Sequence, residues 1–149
     1  MDESKLLRAA AVIDVDPDET NRLCIEVLGE EPDNPKALFL MGTVLMRAEK
    51  WGVAYNLFKR VVDIDPKQAV AWNNLGVSCE SLLKYSDARR YFEEAVKKSP
   101  KTLDYKSNIA MVLMHEGKYH EASKRARELL KIDPNHPGSN LVNGFSSLA

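Results

Sequence analysis

Proline recurs in this chain at Pro32, Pro66, Pro100 and Pro134, each 34 residues from the last without a slip. Ala54, Ala88 and Ala122 keep the same beat, as do Trp51, Tyr85 and Tyr119, and Gly42, Gly76, Ala110 and Gly144; Phe58 and Phe92 also recur, with Ala126 in the third place. A fixed period of roughly 20 to 50 residues marks one supersecondary unit repeated, whose neighbours bury a continuous core between them. Within each unit, apolar residues recur three and four apart on both sides of a short polar turn, which predicts two amphipathic helices. The spacing places first helices near 36–48, 70–82 and 103–116, and second helices near 52–64, 86–98 and 120–132. The prolines follow each second helix, where a residue without an N–H stops it. The expected fold is all-α, a solenoid of antiparallel helix-turn-helix hairpins.

The small residues have a packing reason. Gly42, Gly76 and Ala110 are expected to face Ala54, Ala88 and Ala122 where the two helices of a hairpin approach closely, and Phe58 and Phe92 to fill the seam towards the next hairpin. The first 34 residues keep Leu7, Ala11, Val27 and Pro32 in phase but put Ser4, Arg8 and Thr20 at apolar or small places. Asp16-Pro17-Asp18-Glu19 supplies a capping acid, a first-turn proline and acids near the positive end of a helix dipole, predicting a helix near 17–29. Residues 138–149 can start one more helix through Leu141, Phe145 and Leu148, although Asn140 and Asn143 occupy places expected to be apolar.

These residues resemble the tetratricopeptide repeat, whose pattern reads W-x2-L-G-x2-Y, then A-x3-F, then P. The middle unit matches through Trp72, Leu75, Gly76, Ala88, Phe92 and Pro100, with Cys79 in the tyrosine place. The unit before it matches through Leu38, Met41, Gly42, Leu45, Ala54, Phe58 and Pro66, and the unit after through Ile109, Ala110, Leu113, Ala122, Ala126 and Pro134. The resemblance implies a right-handed superhelix with repeats over 35–68, 69–102 and 103–136, a degenerate or capping repeat over 1–34, and a partial or capping helix over 137–149. It further implies that the first helices line a concave face, so the expected peptide-contact positions are Phe39, Leu40, Thr43, Arg47, Asn73, Asn74, Val77, Asn108, Met111 and His115. Asn74 and Asn108 would be adjacent rungs offering amides to the backbone of an extended strand, similar to the asparagine ladder in the repeats of the O-linked N-acetylglucosamine transferases. Leu40 breaks that ladder in the preceding repeat, and asparagine is common at this place whether or not it binds. A carboxylate clamp of the cochaperone kind is not expected: Asn74 fits, but Phe39, Thr43, Asp104 and Asn108 stand where two lysines, a second asparagine and an arginine would be needed.

Charge and motif content narrow the function classes. The net charge of -1 conceals an acidic start, since residues 1–34 carry ten acids against three bases. The later basic residues, among them Arg60, Arg89, Arg90, Lys97, Lys124 and Arg127, fall on second helices, which reads as a solvated convex face and speaks against nucleic acid. Cys24 and Cys79 are far apart and lack metal-ligand spacing, and His115 and His120 are five apart, off a common helical face, so neither metal nor cofactor is expected. No phosphate loop, HExxH or GxSxG pattern occurs. No apolar run approaches the roughly 18 residues of a membrane span, and the acidic beginning is unlike a secretory signal, so a cytoplasmic protein is expected. The leading expectation is a non-enzymatic scaffold for a peptide or protein partner. The alternatives are the recognition arm of a larger enzyme such as a glycosyltransferase, the chain being a fragment, and a solenoid that self-associates through its ends.

Overall fold

The computed structural model describes residues 3–146, and among these every regular element is an α-helix. In chain order they are α1 (Glu3–Val12), α2 (Pro17–Glu30), α3 (Pro35–Arg47), α4 (Trp51–Ile64), α5 (Ala69–Ser81), α6 (Tyr85–Lys98), α7 (Leu103–His115), α8 (Tyr119–Ile132) and α9 (Pro137–Ser146). Each of α1 to α8 packs antiparallel on its neighbour in sequence, and α9 lies on both α7 and α8. The first helices also touch one another, α1 on α3 and α7 on α9, which puts them on the shorter, inner arc of the array.

The sequence explains where the helices begin and turn. The Asp16 carboxylate accepts the Glu19 N–H at 3.1 Å ahead of Pro17, and the Asn34 side chain accepts the N–H groups of Lys36 and Ala37 ahead of Pro35, filling donors that a first turn leaves open. Three hairpin turns share one closing device. Glu49, Leu83 and Gly117, spaced by 34, take left-handed backbone at φ 60°, 62° and 82°. The following N–H, from Lys50, Lys84 or Lys118, reaches back 2.8 Å to the carbonyl of Leu45, Cys79 or Leu113, the paired-bond ending that caps many helices.

The main core runs through the hairpins of α3 to α8 and ends on Val142 of α9. A smaller one, built of Leu6, Ala9, Leu23, Cys24, Val27 and Ala37, sits under α1, and Leu28 touches both. Burial pushes the thiols of Cys24 and Cys79 up to about 11, leaving them as small apolar core residues.

Three packing expectations are corrected. A Cβ on Gly76 would lie 2.5 Å from Cδ1 and Cε1 of Phe92, and one on Gly42 2.9 Å from Cζ of Phe58. The nearest neighbours of the glycines are therefore the phenylalanine rings of their own hairpins rather than Ala54 and Ala88, and Phe58 meets Phe39 edge-on at 5.5 Å. Where Ala126 replaces the ring, Ala110 replaces the glycine. In α1 the in-phase Leu7 and Ala11 are exposed while Leu6 and Ala9 are buried. Strict phase would press Arg8 against α2, where its charge could not be solvated; the helix instead offers Ala9, whose carbonyl accepts the buried Thr20 hydroxyl at 2.8 Å. In α9, Leu141 is exposed and Val142 is sealed in its place. Asn140 and Asn143 are used as polar ties, to the Pro134 carbonyl at 3.2 Å and from the Ser123 hydroxyl at 3.1 Å. Leu148 lies outside the described residues.

Candidate functional site

Helices α3, α5 and α7 present the positions singled out above. Asn108 of α7 donates its amide N–H to the Asn73 side-chain oxygen of α5 at 2.8 Å. Two turns further on, His115 Nδ1 and the Glu80 carboxylate approach to 3.0 Å. Both pairs are 35 apart, not 34. Residues one full repeat apart on parallel helices point the same way, so two neighbours that touch must come from opposite flanks, and one residue of helix supplies roughly 100° of rotation. Asn74, one repeat before Asn108, thus runs beside it without bonding to it. Asn74 is only 7% exposed, but neither its side-chain oxygen nor its nitrogen is among the buried polar atoms left without a partner.

The other expected contact residues divide by what they already hold. Phe39, Leu40, Val77 and Met111 are half-buried, backed by the core and open on the inner side. The Thr43 hydroxyl donates to the Phe39 carbonyl at 2.9 Å in its own helix. Arg47 forms an exposed ion pair with Asp14 at 2.6 Å, so it ties the first turn to α3. Ser107, which precedes Asn108 on α7, is buried under α9, where a Cβ on Gly138 would come within 2.8 Å of its hydroxyl.

Burial raises the Glu80 carboxyl above its ordinary value, against the pull of His115. Tyr85 stacks at a tilt on His115, ring centres 5.8 Å apart, and the next residue, Glu116, pairs with Arg89 at 3.1 Å. The last residue of α7 and the one after it are thus tied to both helices of the preceding hairpin.

Sequence phase missed a cavity of about 470 Å³ between α1, α3 and the α4–α5 turn, lined by Leu6, Leu7, Ala10, Phe39, Leu40 and Val70 among others. Leu7 is 71% exposed, and it is the rotation of α1 that brings it to this surface. At the rim Glu3 and Lys36 stand 3.9 Å apart, and Asp65 accepts from Gln68 and the Lys67 N–H, which lower its carboxyl and keep it charged.

One constellation looks catalytic and is not. The Ser139 hydroxyl and backbone N–H both donate to His136 Nδ1, at 3.0 and 3.2 Å, so Nε2 carries the proton donated to Asp104 at 2.7 Å. Serine, histidine and carboxylate are aligned, but Ser139 is completely buried and His136 is 6% exposed, leaving a substrate no approach to the hydroxyl. The histidine caps α9 and pins it to α7. Among the described residues no group of histidine, cysteine and carboxylate side chains could hold a metal ion, and no helix is long and apolar enough to cross a membrane.

Comparison with known proteins agrees with this architecture. The mouse protein O-mannosyl-transferase TMTC1 is 30% identical over 99 residues, 64% of this chain and 10% of that protein. This chain spans between 10% and 18% of the length of such curated relatives. A Thermobaculum terrenum O-GlcNAc transferase superposes with a TM-score of 0.80 over 87% of this chain and 25% of that one, at 23% identity. YrrB, described as a TPR protein with an unusual peptide-binding site, superposes with a TM-score of 0.83 over 95% of this chain and 74% of its own, at 18% identity. The model of the tetratricopeptide repeat protein 21 C-terminal ARM domain matches residues 22–139. The chain is thus an all-α tetratricopeptide-type repeat solenoid, and it belongs to the family of the tetratricopeptide repeat protein 21 C-terminal ARM domain.

Proposed function

We propose that this chain is a protein-interaction scaffold whose inner face binds an extended peptide along α5 and α7. The observation that carries the reading is the Asn73–Asn108 amide pair joining α5 to α7, with Asn74 beside it and half-buried Val77 and Met111 along the same two helices. An amide side chain both donates and accepts, so these asparagines can pair with the backbone N–H and C=O of an extended strand. Phe39 and Leu40 extend the strip with apolar contact, while Thr43, Arg47 and His115, already engaged within the chain, form its edge.

The test is a display library of linear peptides panned against the purified protein, followed by fluorescence anisotropy with the enriched sequences. Losing two amide contacts at roughly 1 kcal/mol each should weaken binding about tenfold or more in Asn74→Ala, Asn108→Ala. Lys124→Ala, on α8, should bind as the unaltered protein does. Failure to enrich any peptide, or equal affinity in the asparagine variant, overturns the proposal.

A second reading is favoured by the relatives' lengths: matched repeats make up a small part of an O-mannosyl-transferase and an O-GlcNAc transferase. The same groove would then be the recognition arm of a larger enzyme. A transferase domain in the reading frame flanking these 149 residues would support it, and a frame confined to repeats would remove it.

A further inference from the structure

Two exposed apolar features of this chain are unexplained by its own packing, and they are complementary. The first is the α5–α6 turn. The equivalent turns read Ala48-Glu49-Lys50 and Glu116-Gly117-Lys118, polar or small as exposed turns should be, but here the residues are Leu82-Leu83-Lys84. Leu83 is 71% exposed and holds the left-handed conformation that Gly117 holds without strain. It contributes nothing to the core at a place where a glycine would fold more easily. Leu82 beside it is 37% exposed, and the Lys84 amine has no ion pair or hydrogen bond among the described residues.

The second feature is the cavity between α1 and α3, lined by Leu6, Phe39, Leu40 and the exposed Leu7, with Glu3, paired to Lys36 at 3.9 Å, and Asp65 at its rim. Its charged lining, Glu3, Lys36 and Asp65, sums to one negative charge, whereas the turn that bears the leucines ends in a lysine. We infer that the Leu82–Leu83 turn of one copy seats in the Leu7–Phe39–Leu40 cavity of a second copy, with Lys84 beside Glu3 and Asp65. Knob and cavity are different surfaces, so the contact is heterologous: each copy has one of each to offer.

Sedimentation velocity over rising protein concentration tests this, to about 1 mM because a single knob buries less than the ~1,200 Å² of a stable interface. The unaltered chain should show a weight-average sedimentation coefficient that rises with concentration and falls in high salt, as the lysine contact is screened. Leu83→Gly removes the knob outside the peptide groove and relieves the backbone, so it should sediment as a monomer with undiminished thermal stability. Leu7→Lys closes the cavity with a charge that repels Lys84 and should also be monomeric. An equimolar mixture of the two variants should recover association, because one still offers the cavity and the other the knob. A monomeric unaltered chain, association undiminished in Leu83→Gly, or a mixture no more associated than its components would each overturn the inference.

Discussion

Gly76→Ala should destabilise this protein although alanine is the better helix former, and the sign can be worked out from the contacts. In a helix interior the exchange is worth roughly 1 kcal/mol in favour of alanine. Against that, the new methyl would stand 2.5 Å from two carbons of the Phe92 ring, whose side chain is sealed at 0% exposure among close-packed neighbours. Overpacking of this kind costs about 1 to 3 kcal/mol, and contact this short with a ring that cannot retreat belongs at the upper end. The net expectation is a loss of about 1 to 2 kcal/mol, read as a lowered urea midpoint by circular dichroism with an unchanged slope. Gly42→Ala, where the nearest Phe58 atom is at 2.9 Å, should be closer to neutral, and Gly52→Ala, with open space around it, should lose nothing. The decisive comparison is the same exchange in a Phe92→Ala background. Truncating the ring itself costs about 3 to 5 kcal/mol, but with the ring gone Gly76→Ala should become stabilising, reproducing the Ala110–Ala126 pairing of the next repeat. Equal effects in both backgrounds, or a Gly76→Ala protein as stable as the unaltered one, would refute the reasoning.

Other perturbations act on single contacts. Leu83→Gly should leave stability unchanged or raise it by up to about 1 kcal/mol, relief of the left-handed leucine being partly offset by the looser unfolded chain; a lower melting temperature would show that the exposed leucine packs. His136→Ala should remove the α9 cap at a cost of about 1 kcal/mol and speed hydrogen exchange first at the amides of α9, and unchanged exchange there would contradict the capping role. Glu80→Gln probes linkage. Because burial raises this carboxyl in the folded protein, the native state binds its proton more readily, so its contribution is most favourable in acid and is lost as pH rises through the raised value. Glu80→Gln should therefore gain stability relative to the unaltered protein at pH 8 and lose that advantage near pH 4, and an advantage independent of pH would exclude desolvation as the cause.

The sequence stated most of this fold openly because its period is exact to the residue, and the period reports what every repeat needs. Second helices begin one residue before the apolar rhythm suggests, at Trp51, Tyr85 and Tyr119, since an N-terminal turn needs no buried partner to form. What the period could not show is where a repeat departs from its neighbours. Arg8 in a packing position forces α1 to rotate, and from that rotation follow the exposed Leu7 and the cavity it overlooks. Phase assigns residues to helices α5 and α7 but not their pairings: it aligns Asn74 with Asn108, whereas contact between neighbouring helices joins Asn73 to Asn108 and Glu80 to His115. The exchange of Gly–Phe for Ala–Ala between repeats was a signal available in the sequence, pointing to a direct contact that the alanines on the second helices concealed.

The inner-face account is tested most directly by mapping backbone amide shifts in ¹⁵N-labelled protein while an enriched peptide is titrated in. Binding along α5 and α7 should move Asn73, Asn74, Val77, Asn108 and Met111 together, saturating with one affinity, while Lys124, Arg127 and their neighbours on α8 stay still. Shifts confined to α6 and α8, with the asparagines unmoved at saturation, would contradict it.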